Sequence, residues 1–468
     1  MGNSWREKTL SEIGDAMRAG QFSARDLFEQ ANEAHATYGN TLSAYRTWDQ
    51  DRARSQAEAA DKAFLEGRDS GPLQGIPVSV KDLFGVSYLD TFAGSPNALP
   101  EAWSTEGPVV RSISDQGAVV TGKTHMVEFA FGGLGTNAHW PIPRNPWDEE
   151  NHRVAGGSSS GAGVSLMEGS ALVALGSDTA GSVRVPASMT GTVGLKVTAG
   201  RWPLDGIVPL SPTFDTPGTL TRSVADAALA FEVIDAHCAA RPSRPVAEPA
   251  DMIGLRIGLC ETHFFEECPA DIAESVKEAI GELEQMGATV VGFDLPKTQE
   301  AYALFRQGSV VSSELRAFLE RDLPASIETL DPNITFRLST ALNLESDEIG
   351  ERRVRIAELS RSATAHMGKV DVLVSPTVPV TAPRLDDVAE PKSYSASNLM
   401  ALKNTCIANL LGLCAITLPV GLDKAGIPVG LQCMAAGGCE EKLLSIALAF
   451  ERVLGTPRQR LGKPPIGV

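Results

Sequence analysis

Between Gly71 and Pro217, short β-branched runs are repeatedly cut by glycine: "GIPVSVKD", "GAVVTGKT", "ALVALGSDTAGSVRVPAS" and "GTVGLK". Strands this short and this apolar have no solvent-facing side to offer. They predict a sheet buried on both faces and covered by helices. With 468 residues, 43% of them hydrophobic, the chain can fill such a core. No internal repeat or low-complexity linker divides it, so one large α/β domain over residues 1–468 is expected.

Around that region the texture is helical. Residues 1–68 read as an N-terminal helical segment. Thr9 with Glu12, and Ser23 with Asp26, form capping boxes, the second opening a helix that ends near Gly39; residues 50 to 67 suggest a third helix. In the third quarter "LRIGLC" is strand-like, and Ile272, Val276, Ile280, Leu283 and Met286 recur at helical spacing before Gly287 and the strand "ATVVGF". Residues 297–368 read as further helices of mixed polarity. "DVLVSPT" and "AITLPV" are core strands, and a last helix runs from Leu443 to Leu454, closed by Gly455.

Charge and cysteine usage narrow the function. With 41 basic against 58 acidic residues, the net charge of −17 repels nucleic acid phosphate and anionic membranes. No direct nucleic acid partner and no membrane partner are expected. Seven scattered cysteines without a CxxC suggest neither a disulfide framework nor a zinc knuckle. The first ten residues lack a signal-type apolar run, and a cytoplasmic location is expected. A homodimer is compatible with the sequence.

Three motifs point elsewhere and fail on context. Gly117 to Thr124 matches the P-loop pattern, but a helix precedes it and "AVVT" is itself strand material, the reverse of the phosphate-binding order. Gly157 to Gly161 matches a nucleophile elbow, yet the preceding "RNPWDEENHRVAG" is no buried strand, and none of the seven histidines carries a signature. His125 with Glu128, and His152 near Glu149, are too isolated for a zinc site. No metal and no cofactor are expected.

Three segments remain: Lys81 within "GIPVSVKDLFG", the run "AGGSSSGAG" at 155–163, and "GSDTAGSVRVPAS" at 176–188. Taken singly, each has a plain reading as a strand lysine, a linker or a glycine turn. Together they resemble the amidase-signature family. Its Gly-Gly-Ser-Ser-x-Gly run stands at 156–161. Its Gly-Ser-Asp-Thr-Gly-Gly-Ser-x-Arg-x-Pro run stands at 176–186, with Ala180 in place of the middle glycine. The spacing of Ser158 and Ser182 also matches, as do "GKT" at 122, "RNP" at 144, "GLK" at 194 and "GIPVGLQ" at 426.

The resemblance implies a mixed central sheet with helices on both faces, a signature core over 70–225, and a variable substrate-side helical region over 297–368. It implies hydrolysis of a carboxylic acid amide, with Ser182 as nucleophile, Ser158 as proton relay across a cis peptide link, and Lys81 as base. The backbone N–H groups of Thr179, Ala180, Gly181 and Ser182 would form the oxyanion hole. Ala130, Phe131 and Gly132 would border an apolar acyl pocket.

Physical chemistry agrees with the roles. A serine hydroxyl needs an adjacent base at neutral pH. A lysine serves only when neutral, and burial among Val78, Val80 and Leu83 lowers its pKa from about 10.4. Strand alternation turns Asp82 away from Lys81. Asp178 and Arg184 are expected to brace the serine loop. The family also contains glutaminase subunits of tRNA-dependent amidotransferases and hydrolases of allophanate or biuret derivatives. The sequence favours a free-standing hydrolase of small-molecule amides, because no charged residue for glutamine's α-groups can be assigned.

Overall fold

The computed structural model describes residues 5–238, 245–246, 248–307, 309–341 and 344–468. Eleven strands form one sheet: β1 (Tyr45–Trp48), β2 (Pro77–Lys81), β3 (Val119–Thr124), β4 (Val173–Ser177), β5 (Val193–Lys196), β6 (Pro217–Thr221), β7 (Arg256–Leu259), β8 (Thr289–Gly292), β9 (Val372–Pro376), β10 (Cys414–Leu422) and β11 (Pro428–Ala435). Their spatial order is β1-β3-β2-β4-β6-β5-β10-β11-β9-β7-β8. The sheet is mixed. β2 runs parallel to β3 and β4, while β4, β5, β6, β10 and β11 pair antiparallel. Every residue of β2 to β6 is buried, as their unbroken apolar runs required.

The N-terminal segment forms α1 (Leu10–Arg18), α2 (Ala24–Leu42) and α3 (Gln50–Leu65), and both capping boxes are present. α2 runs past Gly39 and ends where Ser43 turns left-handed. Gly39 is no stop signal. The His35 ring lies over it, 2.7 Å from where a Cβ would stand. That ring stacks on Trp48 at 4.1 Å between centroids and bonds the buried Glu168 at 2.7 Å. Glycine here makes room for a packed side chain.

Two other ends differ from expectation. Helix Ala270–Gln285 stops one residue before Met286, which is 57% exposed and caps the helix. The helix Glu440–Leu454 is not the last: beyond Gly455, Thr456 and Gln459 form a capping box that starts Pro457–Leu461. The P-loop look-alike is β3 itself, preceded by α4 (Pro108–Ser114). Lys123 is buried there, donating to the Phe84 carbonyl at 2.7 Å and to Thr91 Oγ1 at 2.9 Å.

The parallel pairing of β2 with β4, with Val80 opposite Leu175, sets their C-terminal ends side by side. Crevices outside such strand ends are where α/β sheets bind ligands.

Candidate active site

Lys81 closes β2 and is completely buried. Its Nζ lies 2.7 Å from Ser158 Oγ and 2.9 Å from Ser177 Oγ. Burial pushes its pKa down to about 7, against an opposing pull from Asp215 and Asp178. A neutral amine in this position has N–H groups for Ser177 and a lone pair for the Ser158 proton. Asp82 faces the other side of the strand, 3.4 Å from Lys123, as alternation requires. Ser177, at the end of β4, did not stand out in the sequence. Only the strand pairing reveals it.

Ser158 lies just before α5 (Ser160–Glu168), and the Gly157–Ser158 peptide is cis. Ser159 N donates to the Ser182 carbonyl at 3.2 Å, so the two serine-bearing loops are joined through their backbones. His125 does not compete for the base role. Burial drives its ring down to about 4, and no histidine among the described residues bonds Ser158 or Ser182.

The Ser182 loop is built around Asp178. Its carboxylate accepts the N–H groups of Gly181, Val183 and Arg184, at 2.8, 3.1 and 3.4 Å. Arg184, which opens α6 (Arg184–Thr190), meets the same carboxylate at 3.0 and 2.9 Å and reaches Asn409 at 2.7 Å. Burial alone would raise the Asp178 pKa, but the Arg184 guanidinium overcomes it and holds the carboxyl at about 2. The brace expected from Asp178 and Arg184 is therefore present.

Gly181 takes φ +138, and a Cβ there would stand 2.1 Å from Thr405 Oγ1. Thr405 in turn donates to the Ala180 carbonyl at 2.7 Å. Ala180 needs no positive φ, so its methyl is accommodated without backbone strain. The oxyanion expectation changes at one member. The Gly181 N–H is held by Asp178, whereas those of Thr179, Ala180 and Ser182 carry no protein acceptor among the described residues.

Ser182 opens into a cavity of about 170 Å³ that Thr179, Ala180 and the expected Ala130, Phe131 and Gly132 also line. That is smaller than the roughly 300–1,000 Å³ of drug-sized pockets, and suits a compact acyl group. Phe129 is a core residue, whereas Phe131 forms the wall. The far wall comes from the 297–368 region, with Leu304, Phe305, Val310, Val311 and Ile356. One expectation is overturned. The cavity is not purely apolar, because Arg306, Arg337 and Arg352 also line it. Lying far from the signature motifs in sequence, they carried no local signal.

The sequence profile of the family described as Amidase matches residues 26–444. The chain is 48% identical over 458 residues to 2-amino-5-chloromuconic acid deaminase of Comamonas testosteroni, covering 98% of each chain. It is 33% identical over 461 residues to an amidase of Pseudomonas putida, covering 95% of each chain. Glutamyl-tRNA(Gln) amidotransferase of Synechococcus sp. (strain RCC307) contributes a component that is 32% identical over 487 residues, covering 96% of this chain and 98% of that one. A crystal structure of an amidase superposes with a TM-score of 0.85 at 29% identity, covering 96% of this chain and all of the other. Fold and relatives together define an enzyme that hydrolyses amide-type C–N bonds. The chain belongs to the amidase family.

Proposed function

We propose that the chain releases ammonia from a small amide through a Ser182 acyl-enzyme, with Ser158 as relay and Lys81 as base. The observation that carries this reading is the completely buried Lys81 amine 2.7 Å from Ser158 Oγ. Ser182 Oγ attacks the carbonyl carbon as its proton passes to Ser158 and the Ser158 proton passes to Lys81. The resulting oxyanion is met by the N–H groups of Thr179, Ala180 and Ser182. Collapse breaks the C–N bond, and the proton held by Lys81 returns through Ser158 to the departing nitrogen. Water then repeats the sequence on the ester, freeing the acid and restoring Ser182.

The same geometry favours a free-standing hydrolase over a glutaminase working within a larger complex. Glutamine brings an α-ammonium group, which is costly to bury without a carboxylate. Among the described lining residues none is acidic. The deaminase relative also supports ammonia as the leaving group. Seven free cysteines fit a reducing cytoplasm.

The purified chain alone is expected to release ammonia from small aliphatic, aromatic or carboxylate-bearing amides, and far more slowly from glutamine. Cleavage of glutamine only, or no cleavage until a partner protein is added, overturns this reading in favour of the amidotransferase.

A further inference from the structure

The cavity beside Ser182 runs against the charge of the whole molecule. The chain carries a net charge of −17. Yet the charged groups among the described lining residues are Arg306, Arg337 and Arg352. A cavity that gathers cations in an acidic protein is suited to an anion.

Arg337 is the member built into the wall. It lies on the helix Pro332–Thr340, whose start is fixed from two directions. Asp331 caps it through Asn333 N at 2.7 Å, and the Asp331 N–H donates to Glu128 Oε2 at 2.7 Å. Asp331 also accepts the Ala138 N–H at 2.8 Å. Because Glu128 and Asp331 are both buried, the helix is locked to the segment that supplies Ala130, Phe131 and Gly132. The Arg337 guanidinium stacks over the Phe131 ring, 3.9 Å from its centroid, and donates to the Phe131 carbonyl.

No carboxylate among the described residues pairs with Arg337. Burial pushes its pKa down, with only the Tyr394 hydroxyl pulling the other way. Arg184 and Arg201, by contrast, are each met by carboxylates. A partly desolvated guanidinium without a counter-charge is unfavourable until an anion joins it. Its planar fork is matched to a carboxylate, and the Phe131 ring fixes the plane of the fork.

We propose that Arg337 binds a carboxylate on the acyl part of the substrate, so that the enzyme selects monoamides of dicarboxylic acids. The proposal rests on the reading of Ser182 as nucleophile, since it places the amide at Ser182 and the acid at Arg337. Glutamine satisfies only half of this pattern, because its ammonium group would meet three arginines and no acid.

The test separates binding from turnover. In the Ser182→Ala protein, adipamic and glutaramic acids are compared with the neutral hexanamide and pentanamide by titration calorimetry. For the better-fitting chain length, the acid is expected to bind about 100-fold more tightly. Arg337→Met in the same background should abolish the difference, and Arg337→Lys should restore part of it. In the wild type the same preference should appear in kcat/KM, mainly through KM. Equal binding of acid and neutral amides, or a preference that survives Arg337→Met, overturns the proposal. If Arg337→Met does not fold, the wild-type kcat/KM ratio decides alone, and a ratio near one overturns it. Arg337-dependent binding of the acids, with no hydrolysis of any amide by the wild type, upholds the carboxylate site and contradicts the nucleophile reading instead.

Discussion

Lys81→Met is expected to fold and to lose about 10⁴-fold in kcat, the upper end of what a general base supplies. The lysine has no substitute: its hydrogen-bond partners are Ser158 and Ser177, and neither is a base. The wild-type rate should fall below pH 7, as the Lys81 amine with its pKa of about 7 takes up a proton. Toward alkaline pH the rate should hold. Stability should move in a linked direction. The folded-state pKa lies below the unfolded value of about 10.4, so the unfolded chain binds more protons between those limits. Wild-type stability therefore gains from Lys81 as pH rises through that window, and the full burial penalty is present below it. Lys81→Met removes the penalty. The variant should resist denaturant better than the wild type at about pH 6, with the gap closing toward about pH 10. Denaturant midpoints at the two pH values check the sign, and kcat measured across pH checks the base.

Arg184→Met is expected to cost about 3–5 kcal/mol of folding stability, because it strands a buried carboxylate. Asp178 and Arg184 are both completely buried. Without Arg184, the carboxylate that gathers the N–H groups of Gly181 and Val183 has lost its counter-charge. The loop carrying Ser182 should loosen with it, and activity should fall further than stability alone explains. Urea denaturation read beside Lys277→Met supplies the contrast. Lys277 pairs with Glu261 on the surface, with half or more of each side chain exposed, and such pairs contribute only about 0–1 kcal/mol. Similar losses in both variants would contradict the role given to Arg184.

The sheet and the serine loops were legible because their signals are local. Alternation around Lys81 turned Asp82 toward Lys123, and the unbroken apolar runs of β2 to β6 announced burial on both faces. The brace between Asp178 and Arg184 was legible for the same reason, since six positions separate the partners. What escaped depends on residues brought together by folding. Ser177 reaches Lys81 only through the parallel pairing of β2 with β4. Arg337 reaches the cavity because Asp331 bonds Glu128, across 203 positions of chain. Gly39 misled because a helix-interior glycine that admits a histidine ring looks the same in sequence as one that ends a helix.

The central claim is that Ser182 becomes acylated during turnover. Rapid acid quenching during hydrolysis of an amide substrate, followed by peptide mass spectrometry, tests it most directly. The expected result is an acyl group on the peptide holding Ser182, converted to a free hydroxamate by hydroxylamine and absent from Ser182→Ala. An adduct on Ser159, or undiminished hydrolysis by Ser182→Ala, would contradict it.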